Sequence, residues 1–215
     1  KYPSWVYPAN DWYDILFKNF NVNHHVGVNI RGGSKVIQYY ASVNYNRDQG
    51  MLKTDKLNDF DCNITNNQTS FRTNVKTDLQ AGIKGVINSS TTIDKYHGPL
   101  SSVNQAYALS FNASPVDFAP MYPGDDYYSW PELRFGTTEA KQTNPYMEIQ
   151  KGYLERTRYS TTNRAEYIHN LSSLLKGLEL RASVSVAQAG YYTTGFMTRP
   201  AMFALLNCDF ETGKH

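Results

Sequence analysis

The sequence predicts an all-β chain, an antiparallel transmembrane β-barrel segment of about six or seven strands with long loops at one end. Three observations lead there. Paired segments of alternating apolar and polar residues occur at 22–46, 70–94 and, more weakly, 158–187. The turns inside each pair are short, whereas the connections between pairs are long, and barrels that cross an outer membrane show this asymmetry. Apolar residues make up 40% of the chain, below the ~45–50% of soluble domains. Aromatic residues are nonetheless plentiful, with 17 Tyr, 10 Phe and 3 Trp. A barrel wall needs only every second strand residue to be apolar, and tyrosine suits a membrane–water boundary because its ring is apolar and its hydroxyl is not.

From the N-terminus, residues 1–21 form an aromatic-rich opening in which Asn10-Asp11-Trp12-Tyr13-Asp14-Ile15-Leu16-Phe17 reads as a short helix capped by Asn10 or Asp11. Strand one is expected at about 22–31, with His24, Val26, Val28 and Ile30 on one face and His25, Asn29 and Arg31 on the other. Gly32-Gly33 turns the chain into strand two, about 36–46, which sorts Ile37, Tyr39, Ala41, Val43 and Tyr45 from Gln38, Tyr40, Ser42 and Asn44. After a loop at 47–68, strand three (about 69–79) turns Phe71, Val75 and Leu79 outward and Arg72, Lys76 and Asp78 inward. Strand four, about 83–94, alternates more weakly. The long loop 95–156 holds a short helix near Ser101–Phe111 and a Pro/aromatic run. Strand five, about 157–171, is ambiguous, with Tyr159, Thr161, Ala165 and Tyr167 facing out. Lys176-Gly177 leads into strand six, about 178–187, whose Leu178, Leu180, Ala182, Val184 and Val186 oppose Glu179, Arg181, Ser183 and Ser185. A last loop spans 190–215, where Met202–Asn207 reads as a seventh strand or as part of that loop. The polar faces carry Arg31, Arg72, Lys76, Asp78, Glu179 and Arg181, which must meet water. Alternation fits a soluble sandwich equally well, so a carbohydrate-binding or adhesin β-sandwich is the alternative.

Charge is nearly balanced, 21 Lys+Arg against 19 Asp+Glu, and the bases are scattered, so nucleic acid is not an expected partner. Cys62 and Cys208 lie in expected loops outside any CxxC or metal spacing and read as unpaired. No apolar run reaches the ~18 residues of a spanning helix. Adjacent His24 and His25 point to opposite faces and cannot readily chelate one ion. The stretch from Asp59 mimics a calcium loop but has Ile64 and Ser70 where Gly and Glu are required. Without a GxSxG elbow, Walker loop or HExxH helix, neither an enzyme nor a cofactor is expected. The ligand candidates are the loop aromatics Tyr107, Tyr122, Tyr127, Tyr128, Trp130 and Phe135 with the polar Asp125, Asp126 and Arg134; the other reading is that they pack the loop or a lid protein. Tyr39, Tyr45, Tyr159 and Tyr167 suit the aromatic girdles.

The stretch Gly32-Gly33-Ser34-Lys35-Val36-Ile37-Gln38-Tyr39-Tyr40-Ala41-Ser42-Val43-Asn44-Tyr45, followed by Asp48-Gln49-Gly50-Met51, resembles a hairpin of the SusC/RagA type of TonB-linked outer-membrane transporter. Asn10-Asp11-Trp12-Tyr13-Asp14 resembles that family's T-D-W-x-D segment with Asn for Thr, and Asn144-Pro145-Tyr146 and Lys176-Gly177-Leu178 resemble its N-P-Y and K-G-L segments. The resemblance implies TonB-energised uptake of glycan or peptide oligomers across the outer membrane, a SusD-like surface lipoprotein over the long loops, and contact with membrane lipid. It implies a closed barrel of about 22 strands around a plug. No segment here resembles the plug, through which TonB would act, so the chain reads as a partial barrel.

Overall fold

The computed structural model describes residues 4–53, 60–79, 82–122, 134–140 and 143–205. Six long strands form one sheet: β1 (His24–Gly33), β2 (Ile37–Gln49), β3 (Thr65–Leu79), β4 (Ile83–Pro99), β7 (Gly152–Asn170) and β8 (Glu179–Met197). Their order is β1-β2-β3-β4-β7-β8 and every neighbouring pair is antiparallel, an up-and-down meander. Between β4 and β7 lie α2 (Val103–Asn112), β5 (Met121–Tyr122), β6 (Arg134–Thr137) and α3 (Pro145–Gln150); α1 (Trp12–Leu16) precedes the sheet and β9 (Met202–Ala204) follows it. No helix among the described residues is long and apolar enough to cross a membrane.

The turns are built locally. Gly33 has φ 148, a region that disfavours side chains, and a Cβ there would lie 2.3 Å from the Ile37 carbonyl. The Ser34 hydroxyl accepts from the Val36 and Ile37 amides at 3.2 and 3.3 Å, and Ser34 N–H donates to Ile37 at 2.6 Å. At the β7–β8 turn, Leu171 N–H donates to Leu178 O at 2.9 Å and Gly177 takes φ 84.

The strand ends differ from the sequence expectation at the opposite, long-loop end. There β2 continues to Gln49, β3 starts at Thr65, β4 reaches Pro99, β7 starts at Gly152 and β8 reaches Met197. Backbone ladders need no alternation. Where both faces become polar or aromatic the period-two signal fades while hydrogen bonding continues. The described part of the region expected as loop 95–156 also holds regular elements. Met202–Ala204 is a strand, but it pairs in parallel with β6 in a small sheet ordered β5-β6-β9, outside the six-stranded wall.

The two regions bury residues differently. Every residue of β1 is exposed, and nearly all of β8. The buried cluster lies instead in α1, α2, α3, β6 and the connecting segments: Trp12, Leu16, Phe17, Leu52, Ala106, Phe118, Phe135, Tyr146, Met147 and Ile149. The wall thus carries no core of its own, and a small cap beside its long-loop end does.

Candidate functional site

Register sorts the wall into two faces, because residues paired across an antiparallel ladder point the same way. One row runs Val28–Val43–Phe71–Thr91–Thr161–Gln188 and the next Ile30–Ala41–Thr73–Ser89–Asn163–Val186. This face holds Val26, Val28, Ile30, Val43, Phe71, Ile87, Val184 and Val186, all at least 44% exposed. No second layer covers it among the described residues. A sandwich would place its partner sheet there. An apolar face left bare by protein suits a bilayer.

The apolar band does not follow a single row. On β8 it ends at Val186, with Gln188 beyond; the row of Val186 leads back to Ile30, near the opposite edge of the band on β1. A flat membrane can meet such a stepped band only if the strands tilt, and closed barrels require tilt. Where polar residues share this face, they bond to each other: the Ser89 hydroxyl donates to Asn163 Oδ1 at 2.7 Å, and Thr91 and Thr161 hydroxyls lie 3.2 Å apart. Tyrosines expected in the girdles lie over facing glycines. A Cβ on Gly32 would meet the Tyr39 hydroxyl at 2.6 Å, and one on Gly190 the Tyr159 hydroxyl at 2.5 Å. Each ring covers backbone that a glycine leaves bare.

The opposite face is polar. Register brings Arg31, Tyr40, Asn74, Asn88 and Arg164 into one row and Asn29, Ser42, Arg72 and Ser90 into the next. Lys76, Asp78, Glu179 and Arg181 share that face nearer the short turns. Lys84 pairs with Asp78 at 3.6 Å; Arg181 Nε meets Glu179 at 2.5 Å, and Glu166 accepts from Arg164 at 3.3 Å. Toward the long loops a chain of amides crosses three strands: Asn46 Nδ2 donates to Gln68 Oε1 at 3.1 Å and Gln68 Nε2 to Asp94 Oδ1 at 2.7 Å. At the other end, beside the β1–β2 turn, a depression of about 670 Å³ is lined by Arg31, Gln38, Tyr40, Asn74, Lys76 and Asn88.

The cap shows what two of the resembling segments do. Asp11 caps α1 by accepting from Asp14 N–H at 3.0 Å. Asn10 Nδ2 donates to Phe118 O at 2.7 Å and Trp12 Nε1 to Ser114 O at 2.9 Å, while the indole packs on Phe118 with centroids 5.6 Å apart. The segment therefore staples the start of the chain to residues 114–118. Asn144 is fully buried: its Oδ1 accepts from Tyr146 N–H at 2.9 Å and Met147 N–H at 3.2 Å, capping α3 behind Pro145. Its Nδ2 donates to Pro120 O and Gly136 O, both at 2.9 Å. Gly136 passes so close to Ala119 that a Cβ would fall 2.0 Å from its carbonyl. Sequence reasoning named Asn144 only by resemblance; an Asn-Pro pair opening a short helix is a capping signal that the residues themselves carry. Glu148, also in the cap, accepts from Ser101 Oγ at 2.7 Å and Lys151 Nζ at 2.5 Å. Cys62 is buried with Sγ 3.4 Å from Gln150 Oε1; Cys208 lies outside the described residues.

The ligand candidates divide. Asp125, Asp126, Tyr127, Tyr128 and Trp130 lie outside the described residues. Tyr122, Arg134 and Phe135 are buried in the small sheet, where Tyr122 pairs with Arg134 and Met121 with Phe135. Burial pushes the Tyr122 hydroxyl above the usual phenol range, against the effect of the Ala119 and Leu205 backbone. The Arg134 guanidinium sits 5.8 Å from the Phe203 ring centroid. Tyr107 alone of the described candidates reaches the surface, half exposed. It joins an aromatic chain that sequence spacing did not single out: Tyr13 stacks on Phe17 at 5.1 Å, Phe17 meets Tyr107 at 6.0 Å and Tyr107 meets Phe111 at 4.8 Å.

No protein-family profile matches the chain. Among curated proteins, it is 32% identical over 96 residues to TonB-dependent receptor P26 of Formosa agariphila, covering 41% of this chain and 10% of that receptor. It is 22% identical over 209 residues to TonB-dependent receptor SusC of Bacteroides thetaiotaomicron, covering 92% of this chain and 20% of SusC. The chain therefore spans a fifth or less of the length of these two relatives. The antiparallel wall, the ordered motif segments and both relatives agree: the chain is an outer-membrane β-barrel segment similar to those of SusC-like TonB-dependent receptors.

Proposed function

We propose that this segment supplies wall, lumen lining and part of the extracellular cap of an importer that takes up glycan or peptide oligomers at the expense of TonB-transmitted energy. A SusD-like surface lipoprotein covers the cap, and a plug outside this chain contacts TonB. The observation that carries this reading is the sheet with one bare apolar face and one bare, charge-bearing polar face. Such a sheet separates lipid from water and serves transport when closed. Arg31, Arg72, Lys76, Asp78, Glu179 and Arg181 then line the aqueous interior. Tyr107, with Phe111 beside it and Phe17 linking it to Tyr13, is the described part of the ligand-facing surface, and the buried Tyr122, Arg134 and Phe135 support it. Aromatic faces stack on sugar rings and on apolar peptide groups alike.

The test compares uptake of labelled oligosaccharides and labelled oligopeptides by cells with the intact receptor, cells lacking it, and cells lacking TonB. Import of one of these classes should fail equally in both deletions. Unchanged import of every probe in the receptor deletion would contradict the proposal.

A further inference from the structure

One outward row differs in charge from the rest. Beyond the row Val26–Tyr45–Thr69–Ile93–Tyr159, register aligns His24, Arg47, Asn67, Lys95, Thr157 and Tyr192. This row became visible only because β2 and β4 continue past the alternating segment. His24, Arg47 and Lys95 are exposed. Among the described residues no carboxylate pairs with any of the three. The nearby Asp48 and Asp94 point to the other face, and Glu155, one row further, is engaged by His97 at 3.3 Å. Asn67 is held between strands by the Tyr45 hydroxyl, which donates to its Oδ1 at 2.9 Å. Arg47 and Lys95 flank Asn67 from the two neighbouring strands, about 10 Å apart at the backbone, so both long side chains can converge on one anion. Val26 lies in the adjacent row, and Val43 and Phe71 in the row beyond Tyr45 and Thr69, all three exposed and apolar.

We propose that Arg47 and Lys95, assisted by His24 and Asn67, hold the phosphate of a glycolipid in the outer leaflet, with its acyl chains along Val26, Val43 and Phe71. Cations at the polar edge of an apolar band complement an anionic headgroup whose tails need that band. The proposal rests on the outer-membrane placement of the wall and is independent of what the receptor imports.

The full-length receptor in neutral detergent is titrated with lipid A and with dephosphorylated lipid A. The intact receptor should prefer the phosphorylated form roughly thirtyfold. The R47Q/K95Q double variant should lose that preference, while R47K/K95R, which keeps both charges, and R31Q/K76Q, which removes two charges from the opposite face, should retain it. Unchanged heat-modifiability on gels confirms that each variant is folded. Equal affinity of the intact receptor for the two lipids would overturn the proposal, as would a preference surviving in R47Q/K95Q. Full competition by millimolar inorganic phosphate would overturn it too, since a free-anion site has no use for the tails.

Discussion

The wall and the cap are two solutions to hiding apolar side chains. In the cap, Trp12, Leu16, Phe118, Phe135 and Ile149 turn toward each other, and buried polar groups such as Asn144 and Glu148 are bonded. In the wall, residues equally apolar, among them Val28, Val43, Val184 and Val186, turn away from the cap and are covered by no second layer among the described residues. The cap resembles a small soluble core, specified by complementary packing. The wall is specified by register: shifting a strand by one residue exchanges its lipid and water faces, so the pattern fixes the pairing. Solvent, rather than composition, decides which arrangement holds.

Breaking the cap at its centre gives the largest expected effect. Trp12→Ala removes a buried indole and its bond to Ser114, and should destabilise the cap by about 3–5 kcal/mol. Limited proteolysis of the intact receptor should then cut the segments around residues 114–118 faster while the barrel remains heat-modifiable. Loss of the barrel together with the cap would show that the two regions are not separate.

In the wall, Val43→Arg should cost about 2–4 kcal/mol if the residue lies near mid-bilayer. Asn44→Arg, on the other face, should be tolerated. Assembly yield in the outer membrane measures both, and equal yields would contradict the faces.

Asn144→Ala removes a cap and leaves the Pro120 and Gly136 carbonyls without their donor. A loss of about 1–3 kcal/mol in cap stability is expected, visible as faster hydrogen exchange in α3. The smallest effect belongs to the exposed Lys53–Asp14 pair at 3.3 Å: Lys53→Ala should change stability by about 1 kcal/mol or less. Thermal unfolding of the receptor should barely register it.

This contrast also explains what the sequence disclosed. Wall strands were legible because lipid on one side and water on the other impose strict alternation, clearest in β2 and β8. The same logic places Arg31, Arg72 and Arg181 on one face, as the register does. The cap was illegible beyond α1 and α2 because its elements are short and its core joins residues far apart, such as Trp12 with Phe118. Tyr122, Arg134 and Phe135 looked like surface aromatics and cations for the same reason: nothing local in a Pro-rich run says which way a side chain turns. Only the asparagine before Pro145 carried a local signal there.

The central claim is that the apolar face of the wall touches hydrocarbon. Nitroxide labels placed singly at positions 41–45 of the full receptor in lipid bilayers test it directly, read by relaxation with oxygen, which partitions into lipid, and with a water-soluble nickel chelate. Oxygen accessibility should be high at 41, 43 and 45 and low at 42 and 44. Uniformly low oxygen accessibility, or a maximum at 42 and 44, would contradict the account.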